Sequence, residues 1–321
     1  MVLESSEMKV IFVASGNKSI GSVSAFVQSQ FNSLKDKGLN MILFPVVGHG
    51  IISHLRAGRD LRRLVLKERP DIVHAHYSIC GYVATLSTLF LRPKVVVSIL
   101  GSFPNRNWKR RIVRFFIKHI WDITLVKSHR TADQLELNLP VIPNGVNLAQ
   151  FHLMNHVEAR ESCQFTDGKK YIIWCSHPSR TEKRFSLAQD AVVLLNDDNV
   201  TLYPVYDHPH ADVVRYMCAA DALLLTSVSE GSPNVIKEAM ACNCPIISTD
   251  VGDVRWVTEG VEGTYVADHD TPESISRCIQ EALCFNKRTQ GRDAIVRKGL
   301  STECIADRII ELYSKVLTFT D

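Results

Sequence analysis

A chain of 321 residues with 45% apolar and 22% charged positions has the composition of a globular protein and the length for two domains with separate cores. It contains no run of about 18 apolar residues, which excludes a conventional membrane-spanning helix. The net charge of +3 hides a division: residues 1–150 carry 20 Lys and Arg against 9 Asp and Glu, and residues 151–321 carry 17 against 25, so the two halves suit different partners.

In chain order, the polar, acidic start from Met1 to Glu7 lacks the basic and apolar regions of a signal peptide. β-rich runs follow near 8–14, 40–45, 71–76, 94–100, 122–127 and 139–143, separated by helical patterns at 22–37, 53–68, 79–90, 107–120 and 129–137. The alternation predicts a parallel sheet with helices on both faces. Residues 147–169 are polar without a strong period and read as a linker. The pattern restarts with strands near 170–175, 199–205, 221–226, 245–248 and 263–266, and helices at 183–196, 210–219, 233–241, 272–285 and 303–317. The expected fold class is α/β, as two Rossmann-like, doubly wound domains facing a cleft, one over 1–160 and one over 161–302. Ligands of such sheets sit beyond the carboxyl ends of the strands.

Several features resist a single reading. The nine cysteines are scattered, mostly within apolar runs, and read as reduced thiols of a cytoplasmic protein. Arg56, Arg59, Arg62, Arg63, Lys67 and Arg69 make one basic stretch. Residues 107–121 make another, in which bases interleave with Trp108, Ile112, Phe115, Phe116 and Trp121. The second fits a helix lying on an anionic membrane surface, and equally a half-buried helix with solvated charges. No nucleic-acid recognition motif is present. Strand alternation is taken to place His74 and His76 on opposite faces, with no shared metal. His208 and His210 flank Pro209 in a loop, near a nucleotide base or in solvent.

The most informative segment is Ser229 to Glu238. Gly231 permits unusual backbone angles, and Pro233 suits the first turn of a helix running to Ala241. The amides of such a helix start and its dipole make an anion site. Glu230 precedes the helix and Glu238 lies more than a turn inside it. Ionised carboxylates accept hydroxyl protons, so a phosphate cradle flanked by two of them suits a nucleotide-sugar.

The segment Leu223 to Val254, with this Glu-x7-Glu pair, resembles the donor-site signature of the retaining family 4 glycosyltransferases. Three more segments are similar to that family in order: Asp71 to Tyr77, its acceptor-domain strand ending in His; Val141 to Asn147, the close of its first domain; and Pro178 to Lys183, the basic loop opening its second. The resemblance implies the GT-B fold, with the last helix (303–319) packed back on an acceptor-binding first domain. It implies a nucleoside-diphosphate sugar as substrate, no metal and no other cofactor. Glu230, Arg180 and Lys183 would act at the transferred sugar and leaving phosphate. Glu238 would hold the ribose, and Gly231, Ser232, Pro233, Asn234 and Val235 the phosphate or sugar through the backbone. Arg184 is a further candidate for phosphate, because the Arg–Lys spacing here is shorter than the family's common pattern. Gly21, Ser22, His76, Gly101, Ser102 and Asn144 would line the acceptor side or the cleft. One departure stands out: Leu100 and Phe103 occupy positions where the family usually has His and Asp around Gly-Ser.

The function this implies is retaining transfer of a hexose to a saccharide or lipid-linked saccharide in polysaccharide biosynthesis, by a front-face route in which the leaving phosphate takes the acceptor's proton. Alternatives are a nucleotide-sugar epimerase of the same fold, and a catalytically weakened binding partner subunit, which Leu100 favours. The expected location is the cytoplasm, peripheral on the inner face of the cell membrane through the 107–121 helix.

Overall fold

The computed structural model describes residues 8–16, 23–48, 50–101 and 107–318. The chain divides into two compact units, one made of residues 1–144 with 302–321, the other of 145–301. The first contains β1 (Lys9–Ser15), α1 (Ala25–Asp36), β2 (Asn40–Val46), α2 (Ile51–Glu68), β3 (Ile72–His76), α3 (Ser78–Thr88), β4 (Lys94–Ile99), α4 (Asn107–His119), β5 (Ile123–Val126) and α5 (His129–Leu135). The second contains α6 (His156–Ser162), β6 (Lys170–Trp174), α7 (Phe185–Val193), β7 (Val200–Pro204), α8 (Val213–Ala219), β8 (Ala222–Leu225), α9 (Asn234–Ala241), β9 (Ile246–Ser248), α10 (Val254–Thr258), β10 (Thr264–Val266), α11 (Pro272–Phe285) and α12 (Gly291–Arg297). The last helix, α13 (Thr302–Thr318), belongs to the first unit.

Both sheets are wholly parallel, with orders β2-β1-β3-β4-β5 and β10-β9-β8-β6-β7. Within each unit this is the same doubly wound order, whose switch point lies between the first and third strands. The central strands β3 and β8 are buried along their whole length, as expected where helices cover both faces of a parallel sheet. Ile11, Val13, Val73, Val97 and Trp121 anchor the first core, and Ile172, Trp174, Leu224, Ile247 and Ile279 the second. In the first core Gly81 is a packing necessity, since a Cβ there would meet the Trp121 ring at 2.8 Å. Helix starts follow side-chain chemistry. Ser128 caps α5 by accepting from Thr131 N at 3.2 Å, and Thr271 caps α11 by accepting from Ser274 N at 3.3 Å, with Pro272 next in line.

Helix α13 buries Ile305, Ala306, Ile309, Leu312, Tyr313 and Val316, and packs on α1. Lys37 pairs with Asp307 at 2.7 Å, and Arg308 donates to the Val141 carbonyl at 2.7 Å. Deeper in, the Tyr313 hydroxyl lies 2.6 Å from His74 Nδ1, and Ser98 Oγ lies 2.7 Å from His74 Nε2. Burial, aided by the Lys127 charge, holds His74 far below its usual pKa, so the ring is neutral.

Four sequence expectations are corrected. The first unit ends at Asn144 rather than 160, because Val146 N donates to the Leu300 carbonyl at 2.9 Å and Arg292 donates to the carbonyls of Leu148 (2.9 Å) and Phe151 (2.6 Å). The stretch expected to be a linker holds α6, capped by Asn155 and packed on α8. The run 139–143 makes only an isolated bridge, Val126 to Val141. His74 and His76 share one face of β3, their rings stacked 4.5 Å apart, since residues two apart on a strand point the same way.

Candidate functional site

The switch point of the second sheet lies between β6 and β8, and the loops leaving those strands are laced together. Trp174, at the end of β6, donates its indole N–H to Thr226 Oγ1 at 3.0 Å. That hydroxyl donates to the Lys183 carbonyl at 2.7 Å, and Val228 N donates to the Glu182 carbonyl at 2.9 Å. Between a short 3-10 turn (Thr181–Lys183) and α7 stands Arg184, at φ 52° and ψ 57°. A side chain in this left-handed region costs on the order of 1 kcal/mol. Its guanidinium offsets that cost with bonds to the carbonyls of Thr226 (2.7 Å) and Ser227 (2.9 Å) and to Asp270 Oδ2 (2.9 Å). So braced, the loops bring Lys183 Nζ onto Glu230 Oε1, which also accepts from Ser227 Oγ at 2.7 Å. The pair is partly open, with 17% and 19% of the two side chains exposed.

The chain then turns through Gly231, Ser232 and Pro233 into α9, whose first turn has no side-chain cap among the described residues. Its leading N–H groups and the positive end of its dipole are therefore left to whatever binds there. The Oδ1 atom of Asn234 is buried without a hydrogen-bond partner among the described residues. Beneath the turn, Lys237 is only 1% exposed and donates to Ser232 Oγ at 2.6 Å. Burial lowers its pKa, while the nearby charges of Asp253, Glu238 and Glu230 pull it back up. From the other side Gly252, at φ +57°, presses its backbone on the turn: a Cβ would lie 2.5 Å from the Gly231 carbonyl oxygen. Lys237 and Gly252 are not among the sequence candidates. The available signals were a basic residue beside Glu238 and a glycine just after a strand.

One helical turn past the start of α9, Glu238 Oε1 lies 2.9 Å from His210 Nε2. That hydrogen bond, with the carboxylate charge, raises the His210 pKa against an opposing effect of burial. His210 is thus more than solvated: it is bonded to a candidate ligand-binding acid.

Residues 24–150 match the family described as Glycosyltransferase Family 4, and residues 167–284 the family described as Glycosyl transferases group 1. The chain belongs to these glycosyltransferases. It is 24% identical over 307 residues to the N-acetyl-alpha-D-glucosaminyl L-malate synthase of Bacillus anthracis, covering 82% of this chain and 79% of that protein. It is 21% identical over 320 residues to the UDP-Gal:alpha-D-GlcNAc-diphosphoundecaprenol alpha-1,3-galactosyltransferase of Escherichia coli, covering 82% and 80%. Among solved structures, a glycosyltransferase from Rickettsia africae superposes with a TM-score of 0.79 at 14% identity, covering 98% of this chain and 100% of that one. Anabaena HepE in complex with UDP-glucose superposes with a TM-score of 0.75 at 15% identity, covering 96% and 100%. These likenesses establish the GT-B fold.

In this glycosyltransferase the donor-side candidates gather in the second unit. Lys183 and Glu230 touch, Ser232 sits over Lys237, and Glu238 lies deeper along α9, with Pro233, Asn234 and Val235 forming the helix entrance. Arg180 stands apart on an exposed loop and pairs with Glu182 at 2.7 Å. Arg184 is committed to the loop carbonyls and Asp270, which marks it as a brace of the site. Of the first-unit candidates, His76 is fully buried against Phe12 and His74, with neither ring nitrogen hydrogen-bonded among the described residues, and burial drives its pKa far down. Asn144 is buried with Oδ1 unpartnered among the described residues, and Gly101 is exposed just past β4. Gly21, Ser22 and Ser102 lie outside the described residues, as does Phe103. Among the described residues no group of three or more His, Cys, Asp or Glu side chains gathers to hold a metal ion.

Replacing Gly252 by Ala forces a Cβ into the Gly231 carbonyl at a left-handed φ. Urea unfolding of Gly252→Ala is expected to show a loss of about 1–3 kcal/mol. Unchanged stability would mean that the turn is not held by this contact.

Proposed function

We propose that this chain is a retaining, metal-independent hexosyltransferase that uses a nucleoside-diphosphate sugar and delivers the hexose to a saccharide or lipid-linked saccharide in polysaccharide or glycoconjugate assembly. The observation that carries the reading is the uncapped start of α9, with the Lys183–Glu230 pair at its mouth and Glu238 one turn deeper. Two named relatives support the substrate class. The Anabaena HepE structure contains UDP-glucose, and the E. coli relative is named for a diphosphoundecaprenol-linked acceptor.

In this reading the diphosphate lies against the first-turn amides of α9, where the helix dipole favours negative charge. Lys183 stabilises the charge that grows on the departing phosphate, and Arg180, on its exposed loop, adds a second cation when it leaves Glu182. Glu230 keeps Oε1 on Lys183 and Ser227 and offers Oε2 to hydroxyls of the transferred sugar. Glu238 takes the ribose. Arg184 serves as a brace rather than a phosphate ligand. A double displacement needs a nucleophilic carboxylate close to the anomeric carbon. Glu230, with one oxygen already engaged, fills a hydroxyl-binding role instead. Retention then follows from a front-face route: the bond from the anomeric carbon to the phosphate oxygen breaks, that oxygen takes the acceptor's proton, and the acceptor oxygen bonds on the same face.

Glu230→Gln, which keeps an acceptor oxygen for Lys183 and Ser227, is expected to lower the transfer kcat by about a hundredfold while leaving nucleoside-diphosphate affinity nearly unchanged. Steady-state transfer and calorimetry measure the two quantities. Undiminished transfer, or a β-linked product from an α-linked donor, contradicts the assignment.

A lipid-linked acceptor places the enzyme at a membrane, on its cytoplasmic face. Helix α4 is the contact in this reading. Val113, Phe116 and Ile117 face the core of the first unit, whereas Trp108 and Phe115 are 62% and 54% exposed and Ile112 is exposed beside them. Arg110, Arg111, Arg114 and Lys118 line a groove of about 530 Å³ next to Phe115 and Glu136. Bases with protruding aromatics complement anionic headgroups. The full chain is expected to sediment with phosphatidylglycerol vesicles and not with phosphatidylcholine vesicles, and Trp108→Ser with Phe115→Ser to weaken that binding. Equal recovery with both vesicle types, or with neither, contradicts it.

A further inference from the structure

Glu238 is held by more than its own helix. Its Oε1 lies 2.9 Å from His210 Nε2, and the opposite ring nitrogen, His210 Nδ1, lies 3.1 Å from Gln150 Nε2. The imidazole meets Phe151 edge-on, with ring centroids 5.2 Å apart. Phe151 is buried, and its carbonyl accepts from Arg292 at 2.6 Å, so the wall behind the imidazole is fixed to the body of the second unit. Three segments distant in sequence thus meet at the His210 ring: the stretch after Val146, the turn after β7, and α9. Among the described residues, Glu238 Oε2 makes no hydrogen bond.

The order of donors is specific. An amide donor from Gln150 to Nδ1 selects the neutral tautomer that carries its proton on Nε2, and that is the proton Glu238 accepts. A glutamate on a helix otherwise samples several rotamers, and fixing it at the moment of binding costs side-chain entropy. Holding Oε1 in advance removes that cost and fixes the direction of Oε2.

We infer that His210, oriented by Gln150 and Phe151, is a positioning residue that holds Glu238 with Oε2 aimed at the ribose hydroxyls of the donor nucleotide, and so sets nucleotide affinity rather than the rate of transfer. The inference rests on the proposed function, in which Glu238 takes the ribose.

Charge adds a pH dependence to the geometry. The contacting charge is Glu238 from α9, while Gln150 and Phe151 from the preceding segment are uncharged. In the same turn Asp212 pairs with Arg215 at 3.2 Å, and His208 lies against Tyr216. The hydrogen bond to Glu238 raises the His210 pKa above 6.5. Protonation of Nδ1 requires the Gln150 side-chain amide to turn its oxygen toward the ring, and the ion pair with Glu238 is then at full strength below 6.5 and loses its charge component as pH rises through the raised value. Nucleotide affinity therefore falls over that interval.

Calorimetry on the full chain with UDP, GDP and ADP, and with the dideoxyribose form of whichever binds best, tests the inference. Hydrolysis of the matching nucleoside-diphosphate glucose supplies kcat and KM. His210→Ala is expected to weaken binding of the ribonucleotide about tenfold, raise KM and leave kcat unchanged. The dideoxy form is expected to bind wild type and variant equally. His210→Gln keeps an amide donor to Glu238, so it should retain most of the affinity and lose the pH dependence. If His210→Ala binds the ribonucleotide as wild type does, or weakens the dideoxy form to the same degree, or lowers kcat in proportion, the inference is overturned while the donor site stands. If wild type binds none of the three nucleotides, the donor-site reading falls and takes this inference with it.

Discussion

The ammonium of Lys183 and the carboxylate of Glu230 tie the two loops that leave the middle of the second sheet, and the geometry at the start of α9 depends on that tie. The loop after β6 is exposed from Ser179 to Glu182, whereas the loop after β8 buries Thr226, Ser227 and Ser232. Together they are held from below by the Trp174 indole and the Thr226 hydroxyl, and from the side by the Arg184 guanidinium. Removing either member of the pair leaves a charge that is four-fifths buried without its counter-charge, a larger loss than the modest worth of an exposed ion pair. The consequence is preorganisation: cation, carboxylate and helix amides are in place before a ligand arrives.

A second layer secures the same turn. Lys237 reaches Ser232 from beneath, and Gly252 lies backbone to backbone against Gly231. A buried lysine is expensive, and it is tolerated here because Asp253, Glu238 and Glu230 surround it with negative charge. Three acids of the second unit thus lie around one buried cation. The first unit carries its excess of bases on α2 and α4.

Much of the fold was legible because parallel strands covered on both faces are unbroken apolar runs, such as Ile172 to Trp174 and Leu223 to Leu225. The helices that escaped notice, α6, α10 and α12, have seven residues or fewer, too short to display a 3.6-residue period. In α6 only Ala159 is buried, so no apolar stripe exists to be read. The run 139–143 looked like a strand, but Pro140 and Pro143 supply no ladder donors, and a single bridge is what remains. In the site, Glu230 and Glu238 were legible because they share one loop-to-helix segment. His210 and Lys183 bind those acids from 28 and 47 residues away, and Gly252 packs from a separate loop. Such contacts are set by strand order, which local spacing does not encode.

The central claim is that the start of α9 binds the diphosphate of an activated sugar. A crystal of the protein grown with a nucleoside diphosphate tests it most directly. The account predicts phosphate density within hydrogen-bond reach of the Asn234 and Val235 amides and of Lys183, with the ribose beside Glu238. Nucleotide density elsewhere on the chain, with α9 untouched at saturating concentration, would contradict it.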